Sequence, residues 1–391
     1  MTPAARVQAA IEVLDLVIAA VRSNGPSADR IIAEWFRTRR FAGSGDRRAV
    51  RELAYAAMRK CGEIPASGRA AMLPLAQEDP ALAALFDGSR HAPASIAPDE
   101  AAAPQGIAPA WLEAALAGSA MAGDEAQALM ARAPLDLRIN TLRGDAPDLP
   151  LIGEPLAAPH GLRFPAGTPV EQWDAYKSGA IEVQDGGSQL ACQAVGARPG
   201  ETVVDLCAGA GGKTLALAAA MEGRGRLIAC DSDRSRLSRL GPRSERAGAH
   251  AIEQRLLHPG REMEGLSDLA GACDAVLVDA PCSGTGTWRR NPEARWRLTP
   301  AQVERYAAAQ ARLLDLGAML VRPGGRLIFV TCSVLDAEGA DGAAAFLARH
   351  PQWHGEPPFL PAGRRRGEGI RLTPPHDGTD GFFIACFVSP C

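Results

Sequence analysis

The stretch Val203-Val204-Asp205-Leu206-Cys207-Ala208-Gly209-Ala210-Gly211-Gly212-Lys213-Thr214 joins an apolar β-type run to a turn of small residues. Two later segments repeat that design: Asp279-Ala280-Pro281-Cys282-Ser283-Gly284 and Val330-Thr331-Cys332-Ser333. In an open parallel sheet, ligands bind beyond the ends of such strands. Gly209, Gly211 and Gly212 let the chain turn tightly and bring backbone N–H groups close to a ligand. A P-loop would end in the same Gly-Lys-Thr, but its leading glycine falls at Cys207, so that match fails. Asp231 ends the next strand, 22 residues after Gly209, where an acid accepts hydrogen bonds from ribose hydroxyls. Loop and acid together indicate an adenosine-type cofactor. The two later turns each present a cysteine, so a cofactor cradle faces two thiols, Cys282 and Cys332, and the combination points to covalent catalysis on a bound substrate.

Around these segments, strands and helices alternate in the βαβ manner from Gln184 onward. The pattern predicts strands over Thr202–Leu206, Arg226–Cys230, His250–Arg255, Asp274–Val278 and Arg326–Thr331. It predicts helices over Lys213–Met221, Ser235–Ala247, Pro300–Leu320 and Ala340–His350. Two closing strand-like runs, Gly369–Thr373 and Phe382–Val388, read as a hairpin on the sheet edge, with Arg364-Arg365-Arg366 in a loop before them. Upstream, Leu137–Leu142, Gly161–Phe164 and Ala180–Val183 are short strands of a small mixed α/β module. The first portion is helical: Val7, Ile11, Leu14, Ile18 and Val21 share one face, and Asn24-Gly25-Pro26 stops that helix. Ser44 and Asp46 offer capping side chains before a helix over Arg47–Arg59.

The formal net charge of −3 gives no global sign of a nucleic-acid partner, so any such surface is local. Two candidates stand out. Arg37, Arg39, Arg40, Arg47, Arg48 and Arg51 cluster among the first helices, and Arg289, Arg290, Arg295 and Arg297 interleave with Trp288 and Trp296. Arginine beside aromatic residues binds phosphates and stacks bases, although a salt-bridged helix face is the plainer alternative. Lysine is scarce, with Lys60, Lys177 and Lys213 alone, so a lysine in the glycine loop is a pointed choice. Nine cysteines without paired short spacings exclude a zinc ribbon or finger and fit a reducing cytoplasm. No apolar run is long enough to span a bilayer. The expectation is a cytoplasmic, monomeric protein without membrane or metal.

Here the residues carry a resemblance. Asp205-Leu206-Cys207-Ala208 with Gly211-Gly212-Lys213-Thr214, then Asp279-Ala280-Pro281-Cys282-Ser283-Gly284-Thr285-Gly286 and Thr331-Cys332-Ser333, resemble the Sun/RsmB family of RNA cytosine-5 methyltransferases. Asp380-Gly381-Phe382-Phe383 is similar to its closing strand, and Leu137–Leu142 and Val183–Ser188 to its earlier signatures. Gly45-Asp46-Arg47 before Leu53-Ala54-Tyr55 resembles a NusB-like RNA-binding domain of the bacterial rRNA branch. The resemblance implies an α/β fold: a Rossmann-like methyltransferase domain, mostly parallel with a C-terminal antiparallel hairpin, over residues 184–391. An all-α NusB-like domain over 1–134 and the small α/β module over 135–183 would precede it.

The resemblance further implies S-adenosyl-L-methionine as cofactor, held by Cys207, Ala208, Gly209, Ala210, Gly211, Gly212, Lys213, Asp231 and Asp279. It implies 5-methylcytosine in RNA as product, with small-subunit rRNA as substrate. A tRNA or large-subunit rRNA methyltransferase and a non-catalytic ribosome-assembly factor are the alternatives. Cys332 becomes the nucleophile, Cys282 the aid to product release and Asp279 the group that holds the base. An analogy with DNA cytosine-5 methyltransferases would instead favour Cys282, in its Pro-Cys setting, as nucleophile. Two departures stand out. Ala210 replaces the family's proline, which is expected to loosen the loop. No acid follows the third strand, so Gln254 or a backbone group would take the adenine.

Overall fold

The computed structural model describes all 391 residues. They form two compact units, Met1–Ala131 with Thr287–Pro300, and Arg132–Gly286 with Ala301–Cys391. The first unit is helical. Its opening helix, Pro3–Arg22, has proline in its first turn and a Thr2 hydroxyl that accepts from Ala5 N at 3.2 Å. That helix buries Val7, Ile11, Leu14, Ile18 and Val21, the face that the spacing predicts. Helices follow at Ala28–Arg37, Ser44–Lys60 and Gly68–Glu78. In Ser44–Lys60, the Asp46 carboxylate reaches back to Gly43 N at 3.2 Å, half of a capping box.

The segment Thr287–Pro300 belongs to this helical unit, although the sequence boundaries assign it to the domain over 184–391. Both its tryptophans and two of its arginines are turned inward: Trp288 and Arg295 have no exposed area, Arg289 and Trp296 are also buried, and Arg290 and Arg297 are partly exposed. The reason is helix termini. Helix Ser44–Lys60 ends with orphan carbonyls, and Arg295 Nη2 donates to Met58 O and Cys61 O, each at 2.6 Å. Trp296 Nε1 adds a donor to Cys61 O at 3.1 Å. At the opposite polarity, Glu293 Oε1 accepts from Ala28 N at 2.9 Å, at the start of helix Ala28–Arg37. Arg297 donates to Gly25 O and Pro26 O. The stretch is a capping strap, so it offers no stacking platform. Of the other cluster, Arg37 pairs with Glu34, Arg39 with Glu12 and Arg51 with Asp29, while Arg40 and Arg48 are exposed.

The second unit carries two sheets. The smaller has strands β1 (Leu135–Ile139), β2 (Glu154–Pro155), β3 (Gly161–Phe164) and β4 (Ile181–Val183), antiparallel in the order β2-β3-β1-β4. Buried Asp136 on β1 takes Arg163 at 2.8 Å and Gly186 N at 3.0 Å, which ties this sheet to helix Gly186–Val195. The larger sheet contains β5 (Thr202–Asp205), β6 (Arg226–Asp231), β7 (Ile252–Leu256), β8 (Cys273–Asp279) and β9 (Val321–Thr331). These five are parallel, in the order β9-β8-β5-β6-β7. Ala275, Val276, Leu277 and Val278 have no exposed area, as expected of a parallel strand covered on both faces.

Beyond β9 the sheet turns antiparallel. β10 (His354–Gly355) and β12 (Gly369–Leu372) pair with β13 (Phe382–Val388), which pairs with β9, and β11 (Arg364–Arg366) pairs with β12. The expected closing hairpin is therefore present, but Arg364–Arg366 is a strand and not a loop. Arg366 pairs with Asp336, which anchors that strand. The helix read over Ser235–Ala247 is two, Arg234–Leu237 and Leu240–Ala247. The chain passes from β5 to β6 on one side and later crosses to β8 on the other. The crevice at this switch point opens over the ends of β5 and β8.

Candidate active site

After β5 the chain turns through Leu206–Gly211 into helix Gly212–Ala220. Ala208 N donates to Cys230 O at 2.8 Å and Gly211 N to Ala208 O at 2.9 Å, so the turn is closed internally. Gly211 has φ +84°, and a Cβ there would meet Leu240 Cδ1 at 2.2 Å, so only glycine fits. Gly209 and Gly212 have open space where a Cβ would stand. A cofactor can thus approach the backbone at both positions. Asp231 is buried at the end of β6, where Oδ2 accepts from Gly209 N and Oδ1 from Asp233 N, each at 2.7 Å. Each oxygen retains a lone pair for a ribose hydroxyl. Gln254 pairs with Ala229 two residues short of the end of β7, roughly 6–7 Å back from the crevice edge. It is therefore set back from an adenine, and the strand end beside Asp231 is Leu256.

Beneath the loop, Asp205 has no exposed area; Oδ2 accepts from Thr214 Oγ1 at 2.6 Å and Oδ1 has no partner. Burial pushes its carboxyl up to about 7, against the pull of the Thr214 hydroxyl, with the neighbouring Asp279 charge adding to the rise. The folded state therefore holds a proton that the unfolded chain releases near 3.8. This contribution to stability is fully present below about 3.8 and is lost as pH rises through about 7. Asp205→Asn removes the penalty, on the order of 4 kcal/mol at most. In the ligand-free protein we expect the variant to melt higher than wild type at pH 8, with the gain vanishing near pH 4 in a thermal-melt series. A gain independent of pH would contradict this account.

Lys213 Nζ donates to Asp279 Oδ2 at 2.7 Å. Burial alone would push the ammonium down, but Asp279 outweighs it and holds Lys213 above its ordinary value. The ammonium also lies 5.5 Å from the Phe382 ring centroid. Asp279 stands at the end of β8, partly exposed, and its Oδ1 accepts from no protein group. Cys207, in the wall of the crevice, has its thiol pushed far up, first by burial and then by Asp205 and Asp279. It is an inert wall.

The two turns that end β8 and β9 bring Cys282 Sγ and Cys332 Sγ to 3.4 Å. The hydrogen bond to Cys332, followed by burial, raises the Cys282 thiol well above its ordinary range. Either sulfur can donate the S–H between them. Glu338, with no exposed area, binds the two turns together. Its Oε1 accepts from Ser283 N at 2.8 Å, and Oε2 accepts from the Ser283 hydroxyl and from Ser333 Oγ at 2.7 Å. Gly286 N donates to Cys332 O at 3.0 Å, and Gly381 N to Gly286 O at 2.8 Å. A Cβ on Gly286 would strike Gly381 O at 2.1 Å, so Asp380-Gly381-Phe382 closes over the turn that follows Cys282.

The structure brings together Cys282, Cys332, Asp279, Lys213 and the loop Cys207–Gly212, with Asp231 on the flank of that loop. Sequence reasoning missed Glu338, although both cysteines are followed by serine, and two buried hydroxyls in facing turns require an acceptor. It also missed Arg243 and Glu182 beneath the loop. A Rossmann-like sheet with this loop, this acid and a closing antiparallel strand defines an α/β domain of the methyltransferase class. The chain belongs to the 16S rRNA methyltransferase RsmB/F family, whose model matches residues 192–388.

Curated relatives agree. The ribosomal RNA small subunit methyltransferase B of Thermus thermophilus is 38% identical over 52% of this chain and 49% of its own length. That of Xanthomonas campestris is 32% identical over 72% of this chain and 66% of its own. A probable counterpart in Synechocystis is 35% identical over 64% of this chain and 59% of its own. The chain thus spans about half to two-thirds of these relatives. Among solved structures, PH0851 superposes with a TM-score of 0.77 over 99% of both chains at 24% identity, a likeness of fold. A methyltransferase homolog from Pyrococcus horikoshii, 26% identical, superposes with a TM-score of 0.58 over 68% of this chain and 89% of its own.

Proposed function

We propose that this protein methylates carbon 5 of a cytosine in RNA, with small-subunit ribosomal RNA as substrate and S-adenosylmethionine as cofactor. The observation that carries the reading is the thiol pair: two sulfurs 3.4 Å apart, at the ends of adjacent strands, beside an acid at the end of the first of them. S-adenosylmethionine bound at the glycine loop supplies an electrophilic methyl group; Gly209, Gly212, Asp231 and Asp279 are the residues that would hold it. The rRNA substrate is supported by the family and by the names of the curated relatives.

Carbon 5 of cytosine is a poor nucleophile until a thiolate adds at carbon 6. Cys332 makes that bond, with the Cys282 sulfur 3.4 Å away and within hydrogen-bonding reach. Asp279 accepts from the exocyclic amino group of the base, and the Lys213 ammonium beside it offsets the negative charge that develops. Once carbon 5 carries its methyl group, its proton passes to solvent water, and the C–H electrons form the 5,6 double bond as the carbon 6–sulfur bond breaks and its electron pair returns to Cys332. The Cys282 S–H receives that sulfur by hydrogen bond and so aids expulsion. The target base must leave its stack for the thiol to reach it.

The test is incubation of the purified protein with S-adenosylmethionine and small-subunit rRNA, followed by bisulfite sequencing. One or a few protected cytosines are expected; full conversion at every cytosine, together with methyl incorporation elsewhere, would sink the reading. For the cradle, Asp231→Ala is expected to lose roughly 1.5–3 kcal/mol of cofactor affinity, the contribution of a hydrogen bond to a charged group. Calorimetry with S-adenosylhomocysteine measures it. Unchanged affinity in the folded variant would rule Asp231 out.

A further inference from the structure

Ala210 stands in the middle of the glycine loop, and an alanine leaves that turn freer in φ than a proline would. The loop is nevertheless held. Arg243, on helix Leu240–Ala247, donates from Nη1 to Ala210 O at 2.8 Å. Its Nη2 donates to Glu182 Oε2 at 2.9 Å. Glu182 is buried on β4, and its other oxygen takes Arg246, which lies over the Tyr176 ring at 4.4 Å. Ala210 N donates to no protein group, so a proline there removes no internal hydrogen bond. The peptide that alanine leaves free is thus fixed from outside, through its carbonyl, by a guanidinium that a buried carboxylate has already oriented. An isolated surface arginine would give little, because ordering its long side chain costs entropy; Glu182 removes most of that cost.

We propose that Arg243, oriented by Glu182, is a positioning residue for the cofactor loop and supplies from outside the rigidity that a proline at position 210 would supply from within. Arg243 touches neither cofactor nor substrate in this account. It sets the orientation of the Ala210 peptide, and through it the two open approaches at Gly209 and Gly212. The proposal rests on the reading of this loop as the S-adenosylmethionine cradle.

The experiment measures binding of S-adenosylhomocysteine by calorimetry, and steady-state kinetics, in the full chain carrying Arg243→Met, Ala210→Pro or both. Arg243→Met is expected to weaken binding about tenfold, the worth of one charge-assisted hydrogen bond. The KM for S-adenosylmethionine should rise with kcat nearly unchanged. Ala210→Pro should restore most of the affinity in the Arg243→Met background, a rescue that a merely structural arginine would not show. Wild-type affinity in Arg243→Met, or an equal deficit with and without Ala210→Pro, would overturn the proposal. As a second arm, Glu182→Gln should weaken binding and be non-additive with Arg243→Met; additive losses would also overturn it. Failure of the wild-type chain to bind S-adenosylhomocysteine would instead overturn the cofactor reading, and the proposal with it.

Discussion

Cys332→Ala is expected to form neither a covalent adduct nor methylated RNA, because carbon 5 is never activated. Cys282→Ala is expected to do the opposite of nothing: attack and methylation proceed, but expulsion of Cys332 loses its hydrogen-bond donor. The enzyme then stalls as a Cys332–RNA adduct, seen as a slow band on a denaturing gel after incubation with substrate RNA and S-adenosylmethionine. The double variant should show no band. The hydrogen bond to Cys332 and burial both raise the Cys282 thiol above its ordinary range, which disfavours it as the attacking thiolate. Normal turnover in Cys282→Ala together with a stable adduct in Cys332→Ala would reverse the assignment and favour the Pro-Cys thiol as nucleophile.

Glu338→Ala carries the other large effect. The carboxylate accepts from Ser283 N, Ser283 Oγ and Ser333 Oγ in a site with no exposure, so its removal leaves three buried donors to find new partners. One unsatisfied buried group costs about 1–3 kcal/mol, and together they should cost on the order of 3–5 kcal/mol of stability. The two sulfurs would also lose their shared brace, and about a hundredfold loss of adduct formation is expected where a reacting group is misplaced by an ångström. Glu338→Gln keeps an acceptor for Ser283 N and should retain more of both properties. Urea denaturation and the same adduct gel report the two losses. Wild-type stability and adduct yield in Glu338→Ala would show that the brace is dispensable.

These effects divide by what the chain reveals locally. The glycine loop, Asp231 at the next strand end and a cysteine after each of two strands are legible because a strand end and its turn occupy consecutive residues. At Gly211 the positive φ and the close approach of Leu240 leave no choice of residue. The helical face of Val7, Ile11, Leu14, Ile18 and Val21 is legible for the same reason, since periodicity reports burial directly.

What a residue bonds to across the chain is another matter. Trp288, Arg295 and Trp296 have the composition of an RNA-binding surface, yet they cap helix ends, because buried carbonyls at Met58 and Cys61 demand donors from elsewhere. Arg364–Arg366 looks like a solvated basic loop until β12 offers it a hydrogen-bonding edge. Glu338 and Arg243 carry no periodic or motif signal, and each acquires its role from partners far along the chain. The sequence by itself determined the strand–turn layout and which side chains stand at those turns, because these depend on neighbours in the chain. The tertiary structure alone decided which buried donors meet which acceptors, since desolvation makes that pairing obligatory while leaving its partner open to any part of the sequence.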